Sequence, residues 1–167
     1  MGEKRELDKK KISYQGLFKA PELYKAIREW GDEHGYEVKE EKHTEIVVEK
    51  GKEVKVPLAL EKKASDYVKF HLKVSVELKE LEDVMITKGK GKERLNKGNV
   101  DLGMKAVIET DYDNKWEKKP MFMFLKGLHD KFLRKSEVES FEKELKSNLL
   151  NLYDELRAHL NLFKYKV

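Results

Sequence analysis

The chain of 167 residues contains no cysteine, and this absence excludes several chemistries at once. Disulfide bonds, thiol nucleophiles and cysteine-ligated zinc or iron–sulfur centres all need cysteine. Without disulfides, an intracellular, cytoplasmic location is the simpler expectation. The chain also lacks a membrane-length hydrophobic run, since its longest uninterrupted apolar stretch runs only from Met121 to Leu125. The N-terminus has no apolar core of a secretory signal. We therefore expect a soluble protein with no membrane span.

Motifs of the common enzyme classes are missing as well. The few serines do not occur in G-x-S-x-G, no H-E-x-x-H is present, and no two of the five histidines have the i+2 or i+4 spacing of local metal ligands. His71 alternates with the polar residues of its strand and is expected to face solvent. We predict no catalytic residue, no metal site and no cofactor, and we favour a non-enzymatic protein over an enzyme.

Charged residues, in contrast to these motifs, are abundant in the chain. The chain has 31 Lys, 5 Arg, 23 Glu and 9 Asp, a bias that resembles the ion-pair-rich composition of heat-adapted proteins. The net charge of +4 equals the surplus in one stretch, ITKGKGKERLNKGN at 86–99, which holds five basic residues and the single acid Glu93. This stretch is not a P-loop, because it lacks the hydroxyl residue after the lysine and leads into no helix.

The basic stretch is predicted to form a long hairpin loop over residues 87–98. A loop of this charge is usually a solvated segment, but it could contact the phosphates of RNA or DNA, or an acidic protein. It contains no aromatic residue on which bases could stack. The nucleic-acid hypothesis assigns the contact to Lys88, Lys90, Lys92, Arg94 and Lys97, with help from Lys9, Lys10 and Lys11.

Alternating and helical periods predict the secondary structure. Residues 1–8 are polar and are expected to be flexible, a strand follows over 9–18, and Pro21 opens a helix that Gly35 can end. Strand-like segments cover 36–49, 54–60, 66–79 and 99–112. Pro57 indicates an edge strand, or a position whose N–H has no partner.

The alternation is interrupted once, and the C-terminal third changes period. Glu80 and Glu82 would fall on the apolar face of their strand, so a bulge near Leu81 is predicted to return them to solvent. Apolar residues from Val138 to Leu160 form a stripe at helical spacing, which predicts a long helix, and a shorter helical pattern precedes it.

These elements predict an α+β fold in one domain, residues 1–167. Strands with one apolar face need a cover and amphipathic helices need a surface, so we expect a curved antiparallel sheet of about five or six strands packed against the long C-terminal helix. The element order, carried by KKKISYQGLF, PELYKAIREWGDEHG and SEVESFEKELKSNLLNLYDELRAHL, resembles the helix-grip arrangement of the START-like superfamily. In that superfamily a bent sheet grips the last helix and often encloses a cavity.

The resemblance implies the leading functional hypothesis, a hydrophobic or amphipathic small ligand held between the sheet and the C-terminal helix. The residues expected to line that cavity are Trp30, Phe70, Leu72, Val74, Met104, Phe122, Phe124, Phe141 and Leu145. A further alternative is a protein-assembly module, with the MFMFL stretch or the spare apolar residues Leu150, Tyr153 and Leu162 as the partner surface. The sequence does not specify the oligomeric state.

Overall fold

The computed structural model describes residues 3–113 and 135–164 as an open antiparallel sheet with two helices. The elements in chain order are β1 (Glu3–Phe18), α1 (Ala20–Glu33), β2 (Glu37–Glu40), β3 (Thr44–Val48), β4 (Gly51–Lys63), β5 (Val68–Lys88), β6 (Gly91–Thr110) and α2 (Lys135–Lys164). The strand order is β1-β6-β5-β4-β2, and β3 also pairs with β4. This arrangement confirms the predicted α+β fold. The second helical pattern, at 120–132, lies outside the described residues.

The core lies between one face of the sheet and α2. Alternate residues of β5 from Val68 to Leu78 and of β6 from Val100 to Ile108 point to this inner face and are almost fully buried. The α2 stripe supplies the other side through Leu145, Leu149, Leu152, Leu156 and Leu160. Apolar burial contributes about 25 cal/mol per Å² removed from water, so these two patterns stabilise the packing of α2 on the sheet.

Helix α1 packs beside α2 and ends as predicted. His34 is its C-cap and Gly35 has φ +78, a conformation that glycine adopts without strain. The Tyr36 N–H donates to the Gly31 carbonyl at 2.8 Å, which is the long bond of a Schellman motif. The indole N–H of Trp30 donates to the Asn151 side-chain oxygen at 2.8 Å and joins the two helices.

The predicted bulge in β5 is confirmed. The register with β6 shifts between Lys79 and Glu82, so that two residues oppose Gly98 alone, and Glu80 and Glu82 are exposed. Glu80 has φ +52. A Cβ on Gly98 would lie 2.8 Å from the Lys79 carbonyl oxygen, so the close approach of the bulged strand requires glycine here.

Three predictions of local secondary structure were wrong. Residues 3–8, expected to be flexible, are part of β1 and pair with β6. The segment 36–49 is two strands, β2 and β3, which pair with different parts of β4. The long basic loop over 87–98 does not exist, because β5 runs to Lys88 and β6 begins at Gly91, with only Gly89 and Lys90 between them. Gly89 has φ +61, which suits a tight hairpin turn.

Pro57 fits the second of the two sequence interpretations. It lies in β4, between the part that pairs with β3, ending at Lys55, and the part that pairs with β2, beginning at Leu58. Proline, which has no N–H to donate, therefore lies at a position of β4 that is paired with neither β2 nor β3. The Pro57 carbonyl accepts a hydrogen bond from the Glu41 N–H at 2.9 Å.

Candidate ligand-binding site

The predicted cavity residues lie in the hydrophobic core or at its margin. Six of them have a relative exposure of 2% or less: Trp30, Phe70, Leu72, Val74, Met104 and Leu145. Phe141 is half-buried, with its ring 5.9 Å from that of Phe70 in an edge-to-face contact. Phe122 and Phe124 lie outside the described residues. Four cavities of about 290 to 510 Å³ open among the described residues. Phe70, Leu72, Phe141 and Leu145 border none of these four, whereas Trp30 borders one of them and Val74 and Met104 border another.

The basic hairpin is less positive in three dimensions than in sequence. Arg94 forms an ion pair with Asp83 of the neighbouring strand, and Lys97 lies directly opposite Glu82. The Lys88 ammonium is 3.8 Å from the carboxylate of Glu93. Lys90 and Lys92 remain exposed at the tip. Counting charges in the sequence stretch alone therefore leaves out the acidic residues of β5 that lie opposite it.

A stronger concentration of positive charge lies on the open face of the sheet, which points away from α2. In the strand register Lys9 of β1 is opposite Lys105 of β6, and Lys105 is opposite Lys73 of β5. Lys105 is 3.7 Å from Glu6, but within the described part of the chain no carboxylate is within 4.0 Å of the Lys9 or Lys73 ammonium. Like charges directly opposite each other destabilise a sheet. We call Lys9, Lys105 and Lys73 the lysine row.

Beside the lysine row the sheet surface is a shallow cavity of about 310 Å³. The floor of this cavity consists of the small residues Ala59, Ser75 and Gly103 together with Pro57. The lysine row and Lys11 surround the floor. Glu41 also borders this cavity. Gly103 does not have a positive φ, and a Cβ there would approach only the Ser75 Cβ, at 3.9 Å. Neither backbone conformation nor packing therefore requires glycine at 103, and a side chain there would fill the cavity.

A second cavity of about 510 Å³ continues along the strands. It shares Lys11, Ser75 and Gly103 with the first and extends to Asp101 and Glu77. The Ser13 hydroxyl, also in this cavity, donates to the Asp101 carboxylate at 2.9 Å. We call the two cavities together the open-face groove. Neither part is lined by an aromatic side chain, so the groove provides no surface for stacking a base.

Another part of the open face holds a compensated charge network around His71. The prediction that His71 faces solvent was wrong, because the residue is only 6% exposed. Its Nε2 is 2.6 Å from Glu109 and its Nδ1 is 3.6 Å from Glu61. Burial favours the neutral form of Glu61, but hydrogen bonds and charges from Lys69 and Lys39 outweigh it and lower its pKa below the usual 4.5. In this network the Glu61 carboxylate faces the ammonium groups of both Lys39 and Lys69.

The sequence analysis gave a functional role to five of the residues that line the open-face groove, namely Lys9, Lys10, Lys11, Val74 and Met104, and assigned none of them to a groove on the open face. The alternation in β5 already placed Lys73 and Ser75 on the polar side of that strand. What the sequence could not show is the register that brings Lys9 and Lys105 alongside, because β1 and β6 are distant in the chain.

Two properties of the described residues bear on the remaining predictions. No group of three or more histidine, aspartate or glutamate side chains in 3–113 and 135–164 is arranged to hold a metal ion. In the same ranges no helix is both long and apolar enough to cross a membrane. Comparisons of the chain with protein-family models, with curated proteins and with solved structures find no match.

Proposed function

We propose that this protein binds a phosphate-bearing ligand in the open-face groove, with the lysine row as the anion-binding element. The observation that carries the proposal is the direct juxtaposition of Lys9, Lys105 and Lys73 beside a cavity. An ammonium group is a compact charge with three donors and is a common phosphate ligand. A bound phosphate would neutralise the repulsion that the row otherwise leaves in place.

Gly103 supports the proposal independently of charge. Glycine in a strand interior weakens the strand by about 0.5–1 kcal/mol relative to alanine and often marks a close approach by a ligand. At Gly103 the fold imposes no such choice, since a Cβ would have space. The absent side chain instead leaves the floor of the groove open between the lysine row and Lys11.

The proposal modifies the nucleic-acid hypothesis and leaves the other two hypotheses, the ligand cavity and the protein-assembly module, as predictions. It moves the phosphate contact from the hairpin, where acids of β5 offset the charge, to the open face. The ligand cavity between the sheet and α2 stays a prediction, which no observation in the described residues favours over the groove.

The test uses inorganic tripolyphosphate, titrated into the protein at low salt and followed by calorimetry and by amide NMR shifts. We expect saturable binding with the largest shifts at the amides of residues 73–75 and 103–105. Replacing Lys73→Ser and Lys105→Ser together should weaken binding at least tenfold, which corresponds to about 1.4 kcal/mol. Raising the salt concentration should weaken it as well.

The matched control removes the same charge elsewhere. Lys90→Ser with Lys92→Ser changes the hairpin tip and should leave the affinity within about a factor of two, after the small effect of net charge. Equal losses in both double variants would mean unspecific attraction and would overturn the proposal, as would the absence of binding to the parent protein.

A third variant fills the floor of the open-face groove and leaves all charged residues unchanged. Gly103→Val should abolish tripolyphosphate binding while the thermal unfolding midpoint stays the same or rises, because valine favours strands. Unchanged affinity in a folded Gly103→Val protein would show that the groove floor plays no part.

A further inference from the structure

The two edges of the sheet differ in how they are protected against pairing with another chain. One edge is β1, which carries Lys9, Lys10 and Lys11 in succession and has a bulge between Glu6 and Asp8. Lysines and bulges on an edge strand are common means of preventing the addition of a further strand. The other edge is formed by β2 and by β3, which pair with different parts of β4. β3 has neither feature, and its last three residues are all apolar.

These apolar residues of β3 are exposed on both faces of the sheet. The exposed fractions are 52% for Ile46, 76% for Val47 and 37% for Val48. Because side chains alternate along a strand, Ile46 and Val48 lie on one face and Val47 lies on the other. Among the described residues β3 pairs with β4 alone. A molecule bound to one face would leave the other face exposed, whereas a strand added beside β3 contacts side chains on both faces and pairs the outward backbone groups.

The sequence of β3 is suited to pairing with itself. In the antiparallel register that aligns Thr44–Val48 with the same strand of a second copy, Ile46 faces Ile46 and Glu45 faces Val47. The two neighbouring symmetric registers place Glu45 opposite Glu45 or opposite Glu49 of the second copy. Like charges directly opposite each other destabilise a sheet, so both of these registers are disfavoured. The charges of β3 therefore select the register that overlaps the whole strand.

From the unprotected edge and its self-complementary register we infer that the partner of β3 is a second copy of this chain. The resulting dimer has two-fold symmetry, the commonest symmetry of soluble oligomers, and joins two six-stranded sheets into one. No residue of β3 lines the open-face groove, so the inference is independent of the proposed function. Two five-residue strands form a contact well below the standard interface of about 1,600 Å², and we expect a dimer that dissociates on dilution.

The first experiment measures the dimer by sedimentation equilibrium over a range of protein concentrations. Val47→Glu places a carboxylate opposite Glu45 of the second copy and should raise the dissociation constant about tenfold or more. Within its own chain the new carboxylate lies opposite Lys52, so the variant should fold. The matched control is Met85→Glu, at a residue that is 60% exposed and lies opposite Arg94. It should change the dissociation constant by less than about twofold. Thermal unfolding confirms that both variants are folded.

The second experiment tests the register and uses the absence of cysteine from the chain. Ile46→Cys places two thiols opposite each other in the dimer, and opposite Cβ atoms about 4.5–5.5 Å apart can be joined by a disulfide after a small adjustment. With oxidised glutathione as the oxidant, this variant should form a covalent dimer much faster than Met85→Cys, which has a similar exposure.

Three outcomes would overturn the inference. The first is a parent protein that stays monomeric at its highest soluble concentration. The second is an equal loss of dimer in Val47→Glu and Met85→Glu, because the contact would then not be specific to β3. The third is equal rates of covalent dimer formation for Ile46→Cys and Met85→Cys. A dimer that Val47→Glu disrupts and that Ile46→Cys traps would support the inference, whatever the result of the tripolyphosphate titration.

Discussion

The two faces of the sheet are made by the same strands and follow different rules. On the inner face, alternate residues such as Phe70 and Leu72 are fully buried, and each is explained by burial against α2. On the open face, the part around His71 pairs the Glu61 carboxylate with lysines, and another part places like charges side by side. Stability explains the inner face and the paired network. Stability does not explain the lysine row, and we therefore propose that the row serves ligand binding.

The largest expected difference between the faces is in the cost of losing a side chain. Phe70→Ala should lower the free energy of unfolding by about 3–5 kcal/mol, because it removes a fully buried aromatic ring and leaves a cavity. Ser75→Ala, on the open face of the same strand, should change it by no more than about 0.5 kcal/mol. Urea denaturation measures both. A loss below about 1 kcal/mol for Phe70→Ala would contradict the packed inner face.

A smaller effect of opposite signs is expected at two glycines of β6. Gly98→Ala should destabilise by about 1–3 kcal/mol, because its Cβ would press on the Lys79 carbonyl at the bulge. Gly103→Ala should stabilise by about 0.5–1 kcal/mol, since alanine restricts the unfolded chain and its Cβ meets open space. Thermal and urea unfolding of the two variants give the comparison. If both lose stability, then Gly103 has a structural role and its use as an open floor is refuted.

The smallest effect concerns the charges themselves. Lys73→Glu should stabilise the protein by about 0.2–1 kcal/mol at low salt, because it turns a repulsive cross-strand pair with Lys105 into an attractive one. Lys69→Glu, on the same face of the same strand, should destabilise, because Lys69 is 3.2 Å from Glu61. Both differences should shrink at high salt. A loss of stability for Lys73→Glu would show that the lysine row is satisfied within the fold.

The fold was largely accessible from the sequence because its main signals are local. Six alternations in β5 and the stripe of α2 each determine an element and its buried side, and the bulge followed from the parity of Glu80 and Glu82. The two-residue turn at 89–90 was missed because the charged residues around it show no alternation of apolar and polar positions. Pairs that join the two strands there, such as Arg94 with Asp83, cannot be recognised from the sequence of either strand alone. His71 was misjudged because its neighbours Glu61 and Glu109 come from other strands.

The candidate site was mostly inaccessible for the same reason. A row across a sheet takes one residue from each strand, and nothing near Lys9 in the chain indicates that Lys105 and Lys73 will stand beside it. The sequence instead indicated the contiguous basic stretch at 86–99. In the folded protein, acidic side chains compensate part of the charge of that stretch.

The bulge at Glu80 also decides where this chain can change in length. Beyond it, the β5–β6 hairpin runs to a two-residue turn and lies apart from the open-face groove, so residue pairs can be removed from or added to its tip while every other side chain keeps its face. Between Gly98 and Lys105 the situation is reversed. One residue inserted directly after Gly98 would move Gly103 and Lys105 to the buried side and bring Leu102 and Met104 to the surface, exchanging core and groove in a single step.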